Sequence, residues 1–119
     1  MNAAALKEEG NACLKAGQLD EAIAKYSHAL ACEGIATETR LALLSNRALV
    51  FIRRGEHERC VEDCTAALAL DSSHAKALYR RAQAHAALSQ LPAALRDCRL
   101  LLLREPKNAE ALALETKLK

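Results

Sequence analysis

LKEEGNACLKAGQLDEAIAKYSHAL, the stretch Leu6–Leu30, decides the fold, because its pattern of leucine and small residues recurs twice along the chain. The two further copies are Leu44–Leu68 and Leu78–Leu102, and all three align without gaps. Successive copies therefore begin 38 and 34 residues apart. A period in this range is typical of a stacked array, in which each repeat buries its apolar face against the next.

Each copy is predicted to form two helices joined by a turn. In the first copy, Leu6, Gly10 and Leu14 follow helical spacing up to Gly17, and a second amphipathic segment begins after that glycine. The segment Cys32–Arg40 holds four extra residues and is predicted to be a loop. The predicted helices are Ala3–Ala16 and Asp20–Ala31, Leu41–Arg53 and His57–Leu70, Lys76–Leu88 and Pro92–Arg104, and finally Ala109–Lys117.

We expect one domain over residues 1–119, with repeats at about 3–36, 41–74 and 75–108 and a capping helix at about 109–117. The last helix has no partner helix after it in this sequence. Its leucines are expected to cover the open end of the stack, as the terminal unit of a repeat array must. They are Leu112, Leu114 and Leu118.

The composition excludes several classes of function. Hydrophobic residues make up 51% of the chain and aromatic residues only 3%, so alanine and leucine must build the core, which favours helices. A net charge of +2 is too small to favour general nucleic-acid binding, and no apolar run is long enough to span a membrane. Five cysteines without the spacing of a disulfide framework indicate reduced thiols, from which we expect a cytoplasmic location.

Five polar residues interrupt the repeat on the first helix of each pair. They are Lys7 and Asn11, one turn apart on the first predicted helix, Asn46 on the third, and Lys76 and Arg80, one turn apart on the fifth. None of the three cations has an acidic residue three or four positions away. Taken singly, each is typical of a solvated surface residue. Taken together, unpartnered cations and amide donors on neighbouring helices indicate a site for a carboxylate.

The framework positions of the first copy resemble the tetratricopeptide repeat, and the resemblance extends over nearly the whole chain. It implies a right-handed superhelix of three helix-turn-helix repeats plus a capping helix, with the first helix of each pair lining a concave groove. The matching residues are Leu6, Gly10, Ala22, Tyr26 and Ala29. The departures in the later copies are Leu101, where the motif has alanine, and Cys64 and Cys98, where it has an aromatic residue.

The five residues that interrupt the repeat are similar to the dicarboxylate clamp of chaperone-binding tetratricopeptide domains. In that family the groove binds the C-terminal Glu-Glu-Val-Asp of heat-shock protein 90 or heat-shock protein 70. The resemblance implies that Lys7, Asn11 and Asn46 hold the terminal carboxylate. Lys76 and Arg80 would then serve the last Asp and the adjacent backbone. Secondary contacts to the Val and to an upstream Glu are implied for Leu14, Leu49 and Ile52, and for Arg53, respectively.

Two other functions stay open at this point. A tetratricopeptide scaffold for a non-chaperone partner would use the same groove for another acidic peptide, or its convex face for protein contacts. A cysteine-dependent enzyme would use Cys60 and His57, and the spacing of Cys60 and Cys64 suits a metal, but both cysteines occupy core positions of the repeat. We therefore expect a peptide-binding module that is not an enzyme, uses no metal or cofactor, and has no nucleic-acid or membrane partner.

Overall fold

The computed structural model describes residues 2–119, and in that range it contains seven α-helices and no β-strand. The prediction of an all-α helical superhelix is confirmed. The helices are α1 (Ala3–Lys15), α2 (Leu19–Leu30), α3 (Thr37–Arg53), α4 (His57–Leu70), α5 (Ala75–Ala87), α6 (Leu91–Arg104) and α7 (Ala109–Leu118).

The helices pack as three successive pairs, α1–α2, α3–α4 and α5–α6, followed by α7. The second helix of each pair also packs against the first helix of the next pair. The first helices α1, α3, α5 and α7 contact one another in order, whereas α2, α4 and α6 make no mutual contacts within residues 2–119. The first helices therefore line the inner side of the stack, and the second helices line its outer side.

Helix α3 begins at Thr37, so the prediction of a loop over Cys32–Arg40 is wrong for its last four residues. These residues form the first turn of α3. The segment has no proline after Gly34, and Ala36 adopts an extended conformation that starts the helix. A run without a helix-breaking residue extends a neighbouring helix more readily than it forms a loop.

Helix α7 packs against α5 and α6, but the face predicted from its leucines is wrong for Leu112. Ala111 is its buried residue and Leu112 is 43% exposed, while Leu114 and Leu118 are half-buried. By repeat position Leu112 corresponds to Leu78, which is buried together with Leu101 of the partner helix α6. Within residues 2–119 α7 has no such partner, so its leucine at this position stays exposed.

Ion pairs join the two helices of every pair. In the second pair Arg47 binds both carboxylate oxygens of Asp63 at 2.7 Å, and in the third Arg81 binds Asp97 in the same way at 2.8 Å. In the first pair the polarity is reversed, because Glu9 lies on α1 and Lys25 on α2, 2.7 Å apart. These contacts lie between the helices of a pair rather than in the groove.

The turn inside each helix pair requires a left-handed backbone conformation at one residue. Gly17 and Gly55 have φ values of 77° and 78° in the first two pairs. Ser89 takes the same position in the third pair with φ 60°, and it is the only non-glycine residue with positive φ in the described range. A side chain costs energy in this conformation, so the third turn is strained relative to the other two.

Candidate functional site

The five predicted site residues lie on three neighbouring helices of the inner side. Lys7 and Asn11 are on α1, Asn46 is on α3, and Lys76 and Arg80 are on α5. The side-chain amide of Asn46 donates a hydrogen bond to Asn11 Oδ1 at 3.2 Å, which links α1 to α3. Arg80 Nη1 donates to the backbone carbonyl of Ser45 at 2.5 Å and to its hydroxyl at 2.6 Å, which links α3 to α5.

Arg80 is half-buried and anchored rather than free. One amino group of its guanidinium is held by Ser45, whose side chain is 1% exposed. Burial lowers the pKa of Arg80, with Arg53 adding to the effect and nearby Glu110 opposing it. A guanidinium nevertheless stays charged in proteins, so Arg80 presents its remaining N–H donors in a fixed direction. Because Ser45 is buried, Arg80 also contributes to the stability of the stack.

The cations of the site have no direct ion-pair partner in the described part of the chain, although Glu105 and Glu110 lie around a cavity next to Lys76. In residues 2–119 neither Lys7, Lys76 nor Arg80 forms an ion pair with a carboxylate. Lys76 is exposed and Lys7 is half-buried. Three cations along one groove attract an anion, and the two amides between them add donors without adding charge.

Two cavities adjoin Lys76 along the groove. The first has a volume of about 460 Å³ and also contacts Leu49 and Arg80, whereas the second, of about 280 Å³, contacts Asn46 and Ser45. The second cavity lies between α3 and α5, whereas the first lies mainly between α5 and the start of α7 and meets α3 only at Leu49. Further residues around the first cavity, none of them among the predicted site residues, are Tyr79, Gln83, Glu105, Asn108 and Glu110.

The four secondary contacts predicted from the sequence lie at different places. Leu49 contacts the first cavity beside Lys76 and Arg80. Leu14 and Ile52 are half-buried against two different core clusters, and Arg53 is exposed in the last turn of α3. The structure therefore brings only Leu49 into a common cavity with residues of the predicted clamp.

Tyr26 contacts one of the predicted site residues, a contact that the repeat pattern did not indicate. Its hydroxyl donates a hydrogen bond of 2.6 Å to Asn11 Oδ1, although the residue lies on α2 and its side chain is fully buried. The available signal was its aromatic ring at a position where the later repeats have Cys64 and Cys98. Because an aromatic ring at this position belongs to the family framework, the sequence indicates packing there rather than binding.

The cysteines considered for catalysis or metal binding have packing contacts. Cys60 and Cys64 are buried with their sulfur atoms 3.9 Å apart, and the Cys60 thiol lies 3.7 Å from the backbone carbonyl of Arg80. The hydrogen bond to Cys60 and burial both raise the pKa of Cys64 above its ordinary value, which keeps it a thiol. Within the described part of the chain, no three His, Cys, Asp or Glu side chains converge as metal ligands would.

No helix within residues 2–119 has the length and apolar character that crossing a membrane requires.

Comparison with known proteins gives close structural relatives. No protein-family model matches the chain. Human sperm-associated antigen 1 is 36% identical over 107 residues, which are 90% of this chain and 11% of that protein. The chain thus spans about a tenth of the length of the first curated relatives that it matches.

Two solved structures match along nearly their whole length. The first TPR of Spaghetti (RPAP3), bound to the HSP90 peptide SRMEEVD, is 35% identical with a TM-score of 0.91, covering 98% of this chain and 90% of that one. The second TPR domain of human RPAP3, in complex with the HSP70 peptide SGPTIEEVD, is 34% identical with a TM-score of 0.87, covering 98% and 93%. The chain belongs to the tetratricopeptide repeat (TPR) family.

Proposed function

We propose that this chain is a co-chaperone module that docks the C-terminal Glu-Glu-Val-Asp tail of heat-shock protein 90, heat-shock protein 70 or both. One observation carries the proposal. Five polar side chains that interrupt the repeat lie on three adjacent helices, where two of them are bonded to each other and the three cations have no carboxylate partner in residues 2–119. The two TPR structures solved with peptides ending in EEVD support it.

In this proposal the last residue of the ligand supplies two carboxylates to the groove. Lys7, Asn11 and Asn46 bind the carboxylate of the chain terminus, and Lys76 and Arg80 bind the Asp side chain and the adjacent backbone. Each charge-assisted hydrogen bond contributes about 1.5–3 kcal/mol before the cost of ordering the peptide. For the upstream residues we propose the secondary contacts Leu14, Leu49, Ile52 and Arg53.

The proposal extends to the role of the chain as a whole. We propose one binding domain with repeats at about 3–36, 41–74 and 75–108 and a capping helix at about 109–117. It acts by binding rather than by catalysis, and it works in the cytoplasm. Its free cysteines, which include Cys13 and Cys32 at partly exposed positions, are consistent with that location.

The test is a comparison of the peptide SRMEEVD as a free acid and as a C-terminal amide, by isothermal titration calorimetry. We expect the amide to bind at least tenfold more weakly, a difference of about 1.4 kcal/mol, because it lacks one of the two carboxylates. Lys76→Ala should weaken binding of the free acid without lowering the melting temperature, since Lys76 is exposed. Lys117→Ala removes another exposed lysine, on α7 outside the predicted clamp, and serves as the control. Equal affinity for the two peptides would refute the clamp.

The second candidate is a TPR scaffold for a non-chaperone partner. The exposed leucines of α6 favour it, because Leu103 is 79% and Leu100 42% exposed on the outer side. A partner that binds there would be lost on Leu103→Glu, whereas groove binding of SRMEEVD would be unaffected by that substitution.

A further inference from the structure

The amide group of Asn11 is held in one orientation by two donors. Its Oδ1 accepts the hydroxyl proton of Tyr26 at 2.6 Å and an amide proton of Asn46 at 3.2 Å. The oxygen and nitrogen of a planar amide point in opposite directions, and only the nitrogen carries donors. With Oδ1 turned toward α2 and α3, the Nδ2 group of Asn11 is left for an acceptor in the groove.

The ring of Tyr26 on α2 packs closely against α1, and so reaches Asn11, because residue 10 of α1 is a glycine. A Cβ atom at Gly10 would lie 2.5 Å from Cε1 and 2.7 Å from Cδ1 of the Tyr26 ring. The ring is fully buried, and burial raises the pKa of its phenol above the ordinary value of 10.0. The hydroxyl therefore keeps its proton throughout the physiological range and remains a donor.

Packing opposite Gly10 accounts for the ring of Tyr26 but does not require its hydroxyl. The position of Tyr26 is occupied by Cys64 in the second pair and Cys98 in the third, and both thiols are buried. The position of Asn11 is occupied in those pairs by Leu49 and Gln83. The phenol hydroxyl at this position thus occurs only in the pair that contains Asn11.

We propose that Tyr26 is a positioning residue of the peptide-binding site, whose hydroxyl holds the Asn11 amide with Nδ2 facing the terminal carboxylate of the ligand. The inference rests on the proposed function. Without Tyr26, the amide has one fixed donor instead of two. Rotation by 180° then presents the oxygen of Asn11 to a carboxylate, and two acceptors that face each other repel.

The test measures binding of SRMEEVD as free acid and as amide to Tyr26→Phe, which keeps the buried ring and removes only the hydroxyl. We expect about three- to tenfold weaker binding of the free acid, the effect of one net hydrogen bond, and little change for the amide. Ser27→Ala is the matched control, because it removes a hydroxyl from the next residue of α2. That hydroxyl accepts a hydrogen bond of 2.9 Å from Arg47 and lies outside the groove. This control should lower the melting temperature and leave the affinity unchanged.

A double-mutant cycle with Asn11→Ala separates positioning from packing. In the Asn11→Ala background, Tyr26→Phe should cause no further loss of affinity, because the amide that it orients is absent. If the same loss persists in that background, or if Tyr26→Phe binds the free acid as the unchanged chain does, the inference is overturned. If instead the unchanged chain fails to distinguish the free acid from the amide, the proposed function itself is wrong.

Discussion

The first helix pair and the two that follow share one backbone arrangement but are packed differently inside. Between α1 and α2, Gly10 makes room for the ring of Tyr26, whereas between α3 and α4 the corresponding residues are Ala48 and Cys64. The combination of alanine and cysteine recurs in the third pair. A large side chain thus lies opposite glycine and a small one opposite alanine, so the two facing residues are matched in size.

The ion pairs differ between the same regions. Lys25 and Glu9 of the first pair are both more than one-third exposed, whereas the carboxylates of Asp63 and Asp97 are at most 7% exposed. The arginines that bind these aspartates also donate to hydroxyls of the preceding pair, Arg47 to Ser27 and Arg81 to Thr65. The arginines of the later pairs thus also link successive repeats. The first pair instead contains the tyrosine that contacts the site.

Asp97→Ala should give the largest effect, because it removes a buried carboxylate and leaves the guanidinium of Arg81, which is 20% exposed, without its ion-pair partner. Removing one member of a buried ion pair costs about 3–5 kcal/mol of the free energy of unfolding. Lys25→Met breaks the corresponding contact of the first pair, where solvent screens the charges, and should have a much smaller effect. Urea unfolding of the two variants checks the contrast, which is wrong if both lose the same stability.

Gly10→Ala should change the free energy of unfolding in a direction that depends on Tyr26. With the tyrosine present, the added methyl group collides with the ring and should destabilise the fold by about 1–3 kcal/mol. In a Tyr26→Cys background the collision is absent, and alanine in a helix should stabilise it by about 0.5–1 kcal/mol relative to glycine. Four urea unfolding curves measure both values. The same sign in both backgrounds would show that ring and glycine are not matched in size.

The helices were predictable because the repeat supplies three independent copies of the same pattern. The prediction from the repeat fails where a segment of the chain has no counterpart in the other copies. The four residues before Leu41 have no equivalent in the other copies, so nothing in the alignment indicated that α3 begins at Thr37. Leu112 has equivalents, but its exposure depends on the absence of a partner helix in residues 2–119, and a local pattern does not contain that fact.

The site was predictable only as a set of residue types at given positions. Comparing repeats identified the polar residues, but their contacts run between segments far apart in sequence. Arg80 was expected to be unpartnered because no acid lies one turn away, yet its partner Ser45 is 35 residues distant. The bond from Tyr26 to Asn11 likewise depends on side-chain positions that a repeat alignment does not specify.

Ser89→Gly should give the smallest effect, and it extends the comparison to the turns. Ser89 has φ 60°, in the region that Gly17 and Gly55 occupy without strain. Relief of the strain stabilises the folded chain by about 1–2 kcal/mol. The greater entropy of glycine in the unfolded chain offsets about 0.4–1 kcal/mol of this, so the free energy of unfolding should rise by about 0.5–1 kcal/mol. Gly55→Ser should lower stability by a similar amount, because no heavy atom lies within 4 Å of a Cβ built there and only the backbone conformation resists the change. Thermal unfolding of both variants tests the pair. A loss of stability in Ser89→Gly would mean that the serine has a favourable contact that outweighs its strain.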